Sequence, residues 1–112
     1  MKKYFFDYDY GKASCEIEVN ENLFTEEKAN DTLSFFSWDY DKDADPVDEV
    51  VKKYALLSIE KATEGYSLYS LQEKQFEGFY QMNGKHGIKL VDVEGVEIDD
   101  YYLQLKAVER KQ

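Results

Sequence analysis

Ala13-Ser14-Cys15-Glu16-Ile17-Glu18-Val19 alternates without a break, with Ala13, Cys15, Ile17 and Val19 on one side and Ser14, Glu16 and Glu18 on the other. A period of two is the period of a β-strand, so this stretch reads as a strand with one face on a core and one in water. Cys15 falls in the inward register and reads as a small core residue rather than a nucleophile. Immediately upstream, Lys3 to Tyr10 alternates as well, with Tyr4, Phe6, Tyr8 and Tyr10 on one face and Phe5, Asp7 and Asp9 on the other. Gly11-Lys12 lies between the two runs and supplies a turn, so the N-terminus is expected to be a hairpin whose four aromatics line one wall of the core.

Downstream the period changes. Thr25 is a favourable N-cap, and Glu26 and Glu27 follow it in the first turn, where negative charge complements the helix dipole. Ala29, Leu33, Phe36 and Tyr40 recur at helical spacing and predict a buried stripe. Phe35 and Trp38 fall off that stripe and read either as residues packed under a loop or as exposed anchors for a partner. After the polar connector 39–45, Asp45-Pro46 is a strong helix start, with the cap at Asp45 and proline at the first helical position. This second helix is expected to run to about Glu64, with Gly65 as its C′ residue. Val47, Val50, Val51, Tyr54, Ala55 and Ser58 define one face, and Leu56, Leu57 and Ile59 widen it until the helix reads as covered on more than one side. Ser70 and Glu73 have capping-box spacing and predict a short third helix ending near Gly78. Ile88 to Val93 and Tyr101 to Val108 then read as strands, separated by a turn at Glu94-Gly95.

The order is strand–strand, helix–helix, strand–strand. It predicts one α+β domain over residues 1–112, an antiparallel sheet made from the N-terminal hairpin and the C-terminal strands, with two main helices packed on one face.

Composition narrows the function. Hydrophobic residues are 43% of the 112 and aromatics 16%, ample for a packed core. With 14 basic against 24 acidic residues the net charge is −10. Such a field disfavours direct binding to nucleic acid or to anionic membranes and favours a basic protein or a cation. One cysteine and one histidine exclude an intramolecular disulfide and a standard structural zinc site. No leader-like segment opens the chain and no apolar run approaches the length of a membrane span, so a cytoplasmic protein is expected.

The sharpest local feature is the run Asp39, Asp41, Asp43, Asp45, Asp48 and Glu49. Set against Lys42 alone, it holds half of the net charge in eleven residues. Two readings follow. The run could be an acidic patch for a basic partner, flanked by Phe35 and Trp38. Alternatively, Asp39, Asp41 and Asp43 repeat the first ligand spacings of a calcium loop, although Ala44 stands where that loop needs glycine and Val50 where it needs a bidentate glutamate. His86, between Gly84-Lys85 and Gly87, lacks the partners of a catalytic base and reads as part of a polar turn. Paired carboxylates suited to a small hydrolase cannot be singled out among so many acids. The chain is therefore expected to be no enzyme and to carry no cofactor.

Several segments together resemble a family of small acidic proteins of unknown function from bacteria and phages. They are Asp7-Tyr8-Asp9-Tyr10 through Glu16-Ile17-Glu18-Val19, Thr25-Glu26 leading to Phe35-Phe36-Ser37-Trp38, then Phe76-Glu77-Gly78-Phe79 and Gly87-Ile88-Lys89-Leu90. The likeness spans most of the chain, and it implies a phage or mobile-element setting without assigning site residues. Combined with the charge, it suggests an acidic protein-binding module, in its boldest form a DNA mimic that blocks a basic, nucleic-acid-binding host protein. The alternative is a calcium-binding regulatory or structural module built on Asp39, Asp41 and Asp43.

Overall fold

A computed structural model describes residues 1–37, 39–97 and 103–109. Strands β1 (Lys2–Tyr8) and β2 (Ala13–Val19) form the hairpin, followed by helices α1 (Glu26–Phe35), α2 (Pro46–Thr63) and α3 (Leu68–Glu73), and by β3 (Ile88–Glu94). The sheet is antiparallel in the order β1-β2-β3, which establishes the α+β class.

β2 is the central strand, and its alternation is read out in full: Ala13, Cys15, Ile17 and Val19 are buried and the residues between them half-buried. Helix α2 lies against β2 and β3, α1 leans on α2, and α3 packs against β3. The predicted face of α2 is buried from Val47 to Ser58, and at its centre Tyr54 is fully enclosed. The Tyr54 ring meets Phe24 and Phe79 edge-on, with centroids 5.9 and 4.8 Å away. Its hydroxyl accepts from the Tyr80 N–H at 2.8 Å, so the buried polar atom is satisfied. Leu56 stays 49% exposed, so α2 is covered on its sheet side and its flanks, not all round.

Four expectations need correction. First, the aromatic wall stops at Phe6. Tyr4 and Phe6 are half-buried and stacked, Tyr8 is largely exposed, and Tyr10 is entirely so. The reason is the turn, which spans 9–12 and holds Asp9, Tyr10 and Gly11 at positive φ, turning Tyr10 into solvent. Second, α1 ends at Phe35. Phe36 adopts extended dihedrals and turns its ring onto Phe79, centroids 5.4 Å apart, so the stripe does not continue helically to Tyr40. Third, the cap of α3 is Ser67, whose hydroxyl accepts from the Ser70 N–H at 3.2 Å; Ser70 lies one turn inside.

The fourth correction concerns the last strand. Leu103–Glu109 form no strand and are exposed, while Tyr101 and Tyr102 lie outside the described residues. The edge of β3 that such a strand would use is occupied. Leu90 N–H donates to the Met82 carbonyl at 3.0 Å and Gly84 N–H to the Ile88 carbonyl at 3.0 Å, while the Gln72 side-chain amide donates to the Leu90 carbonyl at 2.7 Å. Those bonds take the outer edge of β3 from Ile88 to Leu90.

Candidate functional site

The run 39–49 wraps the start of α2, and much of its charge is spent on holding that turn. The Asp45 carboxylate caps the helix, accepting from the Val47 N–H at 2.8 Å. Asp41 accepts from the Asp43 N–H at 2.9 Å. Asp48 accepts from the Tyr4 hydroxyl and from Lys2 at 3.4 Å, which ties α2 to β1. These bonds hold the Asp48 carboxyl below the usual carboxylate range; the Tyr4 contact contributes most and Lys2 adds to it. Burial and the Asp48 contact push the Tyr4 hydroxyl up to about 12.

Glu49 corrects the reading of this run as a continuous surface patch. Its side chain is only 5% exposed, and it accepts from the Asp41 N–H at 2.7 Å while pairing with Lys52 at 2.6 Å. The pair with Lys52, and after it the Asp41 N–H, hold its carboxyl below the usual range despite burial. Asp39, Asp41 and Asp43 are exposed, and Phe35 is 55% exposed nearby in sequence. Trp38 lies outside the described residues. Among the described residues, no three carboxylate, histidine or cysteine side chains are gathered as metal ligands.

A second acidic surface lies on the side of the sheet away from the helices. The register places Phe5 opposite Glu16 and Glu16 opposite Asp92, while Ser14 sits between Asp7 and Glu94. At the other end Glu18 sits between Lys3 and Lys89, with the Lys3 ammonium 3.7 Å from its carboxylate. Asp7, Glu16, Glu18, Asp92 and Glu94 thus outnumber Lys3 and Lys89 on this face, and Phe5, 72% exposed, stands among them.

A β-bulge produces the cluster. Ile88 and Leu90 point into the core opposite Val19 and Ile17, and unbroken alternation would carry Asp92 and Glu94 inward too. The register shifts between Glu16 and Ile17, leaving Val91 as the extra residue on β3. Beyond it Val93 joins the core side opposite Cys15, and Asp92 and Glu94 turn to the open face. The sequence reading put Glu16, Glu18, Phe5 and Asp7 on the outer faces of the hairpin strands but missed Asp92 and Glu94 as their neighbours. Acidic residues in a strand whose apolar phase slips by one were the available signal.

Cys15 sits beneath this face. Burial, with the nearby Asp92 charge, pushes its thiol up to about 12, far from a reactive thiolate at neutral pH. His86 stacks at a tilt on Tyr80, centroids 5.2 Å apart. No helix among the described residues is long and apolar enough to cross a membrane.

The chain is 30% identical over 105 residues, covering 84% of its length and 85% of the relative, to protein ea10 of Escherichia phage lambda. The chain belongs to the ea10 family. The lambda prophage-derived protein ea10 of Escherichia coli O6:H1, strain CFT073, matches with the same identity and coverage. This membership gives the resemblance to phage proteins a specific form, and neither relative's name states an activity. No family model and no solved structure matches the chain.

Proposed function

We propose that this member of the ea10 family is a non-catalytic binding module whose acidic surface engages a basic protein, acting in a phage or mobile-element setting as an inhibitor of a nucleic-acid-binding host protein. The observation that carries this reading is the open sheet face. Glu16 and Asp92 are cross-strand neighbours in its middle, and like charges directly opposite one another destabilise a sheet by tenths of a kcal/mol. A basic partner would relieve that repulsion, and Phe5 beside the pair supplies apolar contact area. Glu16 to Glu18 and Asp92 to Glu94 each span two residues, about 6.7 Å at the usual strand rise. That spacing is of the order of neighbouring phosphates on a DNA strand, which favours the mimic form. The exposed Asp39, Asp41 and Asp43 add a second source of negative potential at the start of α2. Cys15, the one thiol, is buried and protonated, which favours binding over nucleophilic chemistry.

The test uses the full chain as bait in lysate of a bacterial host. Three baits are compared: wild type, Glu16→Gln/Asp92→Asn/Glu94→Gln, and Asp39→Asn/Asp41→Asn/Asp43→Asn/Asp45→Asn. The reading expects basic nucleic-acid-binding proteins to be retained by wild type, released by salt, displaced by short duplex DNA, and lost with the sheet-face variant. Retention that is equal for wild type and both variants, or indifferent to duplex DNA, would refute it. Direct binding of the purified chain to DNA or RNA would refute it as well.

A further inference from the structure

The same sheet has one unused edge, and the same chain has one unused strand-like segment. β1 pairs only with β2, and among the described residues no backbone hydrogen bond reaches its outer edge. Its core-side aromatics are correspondingly under-covered. α2 lies over β2 and β3, leaving Tyr4 and Phe6 half-buried and Tyr8 45% exposed. Meanwhile Leu103-Gln104-Leu105-Lys106-Ala107-Val108-Glu109 alternates apolar and polar as far as Ala107, yet Leu103, Leu105 and Val108 are 78, 83 and 78% exposed. The molecule is correspondingly long, with a radius of gyration of 17.0 Å and a longest extent of 62 Å. A compact domain of this length would have a radius of gyration of about 13 Å.

We infer that residues 103–109 of one copy add as a fourth strand to the β1 edge of a second copy, reciprocally, in a two-fold symmetric dimer. The seven residues of β1 are long enough to pair with the whole alternating stretch from Leu103 to Ala107. The chemistry matches on both faces. Setting Leu105 beside Phe6 places Leu103 and Ala107 in line with Tyr4 and Tyr8, so the leucines cover the aromatics that α2 leaves open. It also sets Gln104 and Lys106 beside Phe5 and Asp7 on the outer face, where the lysine meets a carboxylate. An exposed edge strand is a template for such addition, and the new main-chain bonds pair the β1 edge with one side of the segment. Because one chain carries both halves, two copies close the arrangement with two-fold symmetry. The β3 edge is less open, because Met82, Gly84 and Gln72 already bond to it at Ile88 and Leu90. The pairing uses the β1 edge and leaves the acidic face open, so it stands or falls independently of the proposed partner.

Sedimentation equilibrium on the full chain over a dilution series should give a mass near twice 13.2 kDa that falls towards one chain on dilution. Leu103→Asp/Leu105→Asp, which alters only exposed side chains, should keep the far-ultraviolet spectrum. It should raise the dimer dissociation constant at least about a hundredfold, the loss expected for two buried leucines. A wild type that stays monomeric up to its solubility limit, or a variant that dimerises as well as wild type, would overturn the inference. Mixing Tyr8→Cys protein with Ala107→Cys protein, the pair this register sets side by side, should give a mixed disulfide dimer under oxidation. Its absence, or an intramolecular bridge in the Tyr8→Cys/Ala107→Cys chain within a monomer, would also overturn it.

Discussion

Glu49 shows why a residue in an acidic run need not belong to the surface that the run suggests. Its carboxylate is enclosed, satisfies the Asp41 N–H, and pairs with Lys52. Glu49→Ala should therefore cost about 1 kcal/mol in urea unfolding, for the lost hydrogen bond to the part-buried Asp41 N–H, whereas Asp43→Ala should cost almost nothing. The sign of the pH dependence follows from the direction of the shift. The folded-state pKa of Glu49 is lowered, so its contribution is present above the ordinary glutamate value of about 4.3 and is lost as pH falls through the folded value. Acid titration of stability should accordingly show a component below pH 4 that Glu49→Gln removes. At the alkaline end, burial raises the Tyr54 hydroxyl to about 12. A folded pKa above the unfolded one favours the protonated native state, so stability should be intact below about pH 10 and decline as pH rises from there through 12. Tyrosinate absorbance should show Tyr54 ionising late, together with Tyr4, and Tyr54→Phe should reduce that lagging step by one tyrosine. Neither environment was legible in the sequence. Tyr54 was readable as a core residue from its helical spacing, but the loop that brings the Asp41 N–H back onto Glu49 has no periodic signature.

Elements were legible where one period ran uninterrupted, and not where a local backbone preference cut it short. β2 and α2 carry their patterns through seven and eighteen residues, and both appear as expected, with Asp45 capping and Pro46 opening the helix. The turn after β1 was misread because Asp9 and Tyr10 adopt φ of 49° and 58°, which an L side chain disfavours. Tyr10 makes no use of its ring there, being wholly exposed. Tyr10→Asn, a residue that tolerates this conformation, should stabilise the protein by about 0.5–1 kcal/mol, a rise of a few degrees in Tm by calorimetry. Unchanged or lowered stability would show that the turn is not strained. The last strand was misread for a different reason. A strand-like pattern specifies a face to be covered, but it does not guarantee a free edge to pair with, and the loop 82–84 takes the edge of β3 at Ile88 and Leu90.

At the scale of the molecule, a sheet with helices on one side leaves its other side to solvent, and this chain fills that side with like charges. The α+β class could be read from the sequence because it depends on element order. The cluster of Asp7, Glu16, Asp92 and Glu94 could not, because it depends on a one-residue slip at Val91 and on the pairing of three strands. If the repulsion between Glu16 and Asp92 is real, removing one charge should stabilise the free protein. Asp92→Asn is the cleanest change, since Asp92 accepts from the Val93 N–H at 3.0 Å and asparagine keeps an oxygen for that bond. The expected gain is a few tenths of a kcal/mol in low salt, within the range of cross-strand pairs. It should shrink as added salt brings the screening length down to about 10 Å and below. The same substitution should weaken capture of a basic partner, so stability and binding should move in opposite directions. A surface acid present only for solubility would not couple the two. Denaturation curves at two salt concentrations, set beside retention by the same variant, separate these cases: a variant that is stabilised yet binds fully would place the partner's contact elsewhere on the molecule.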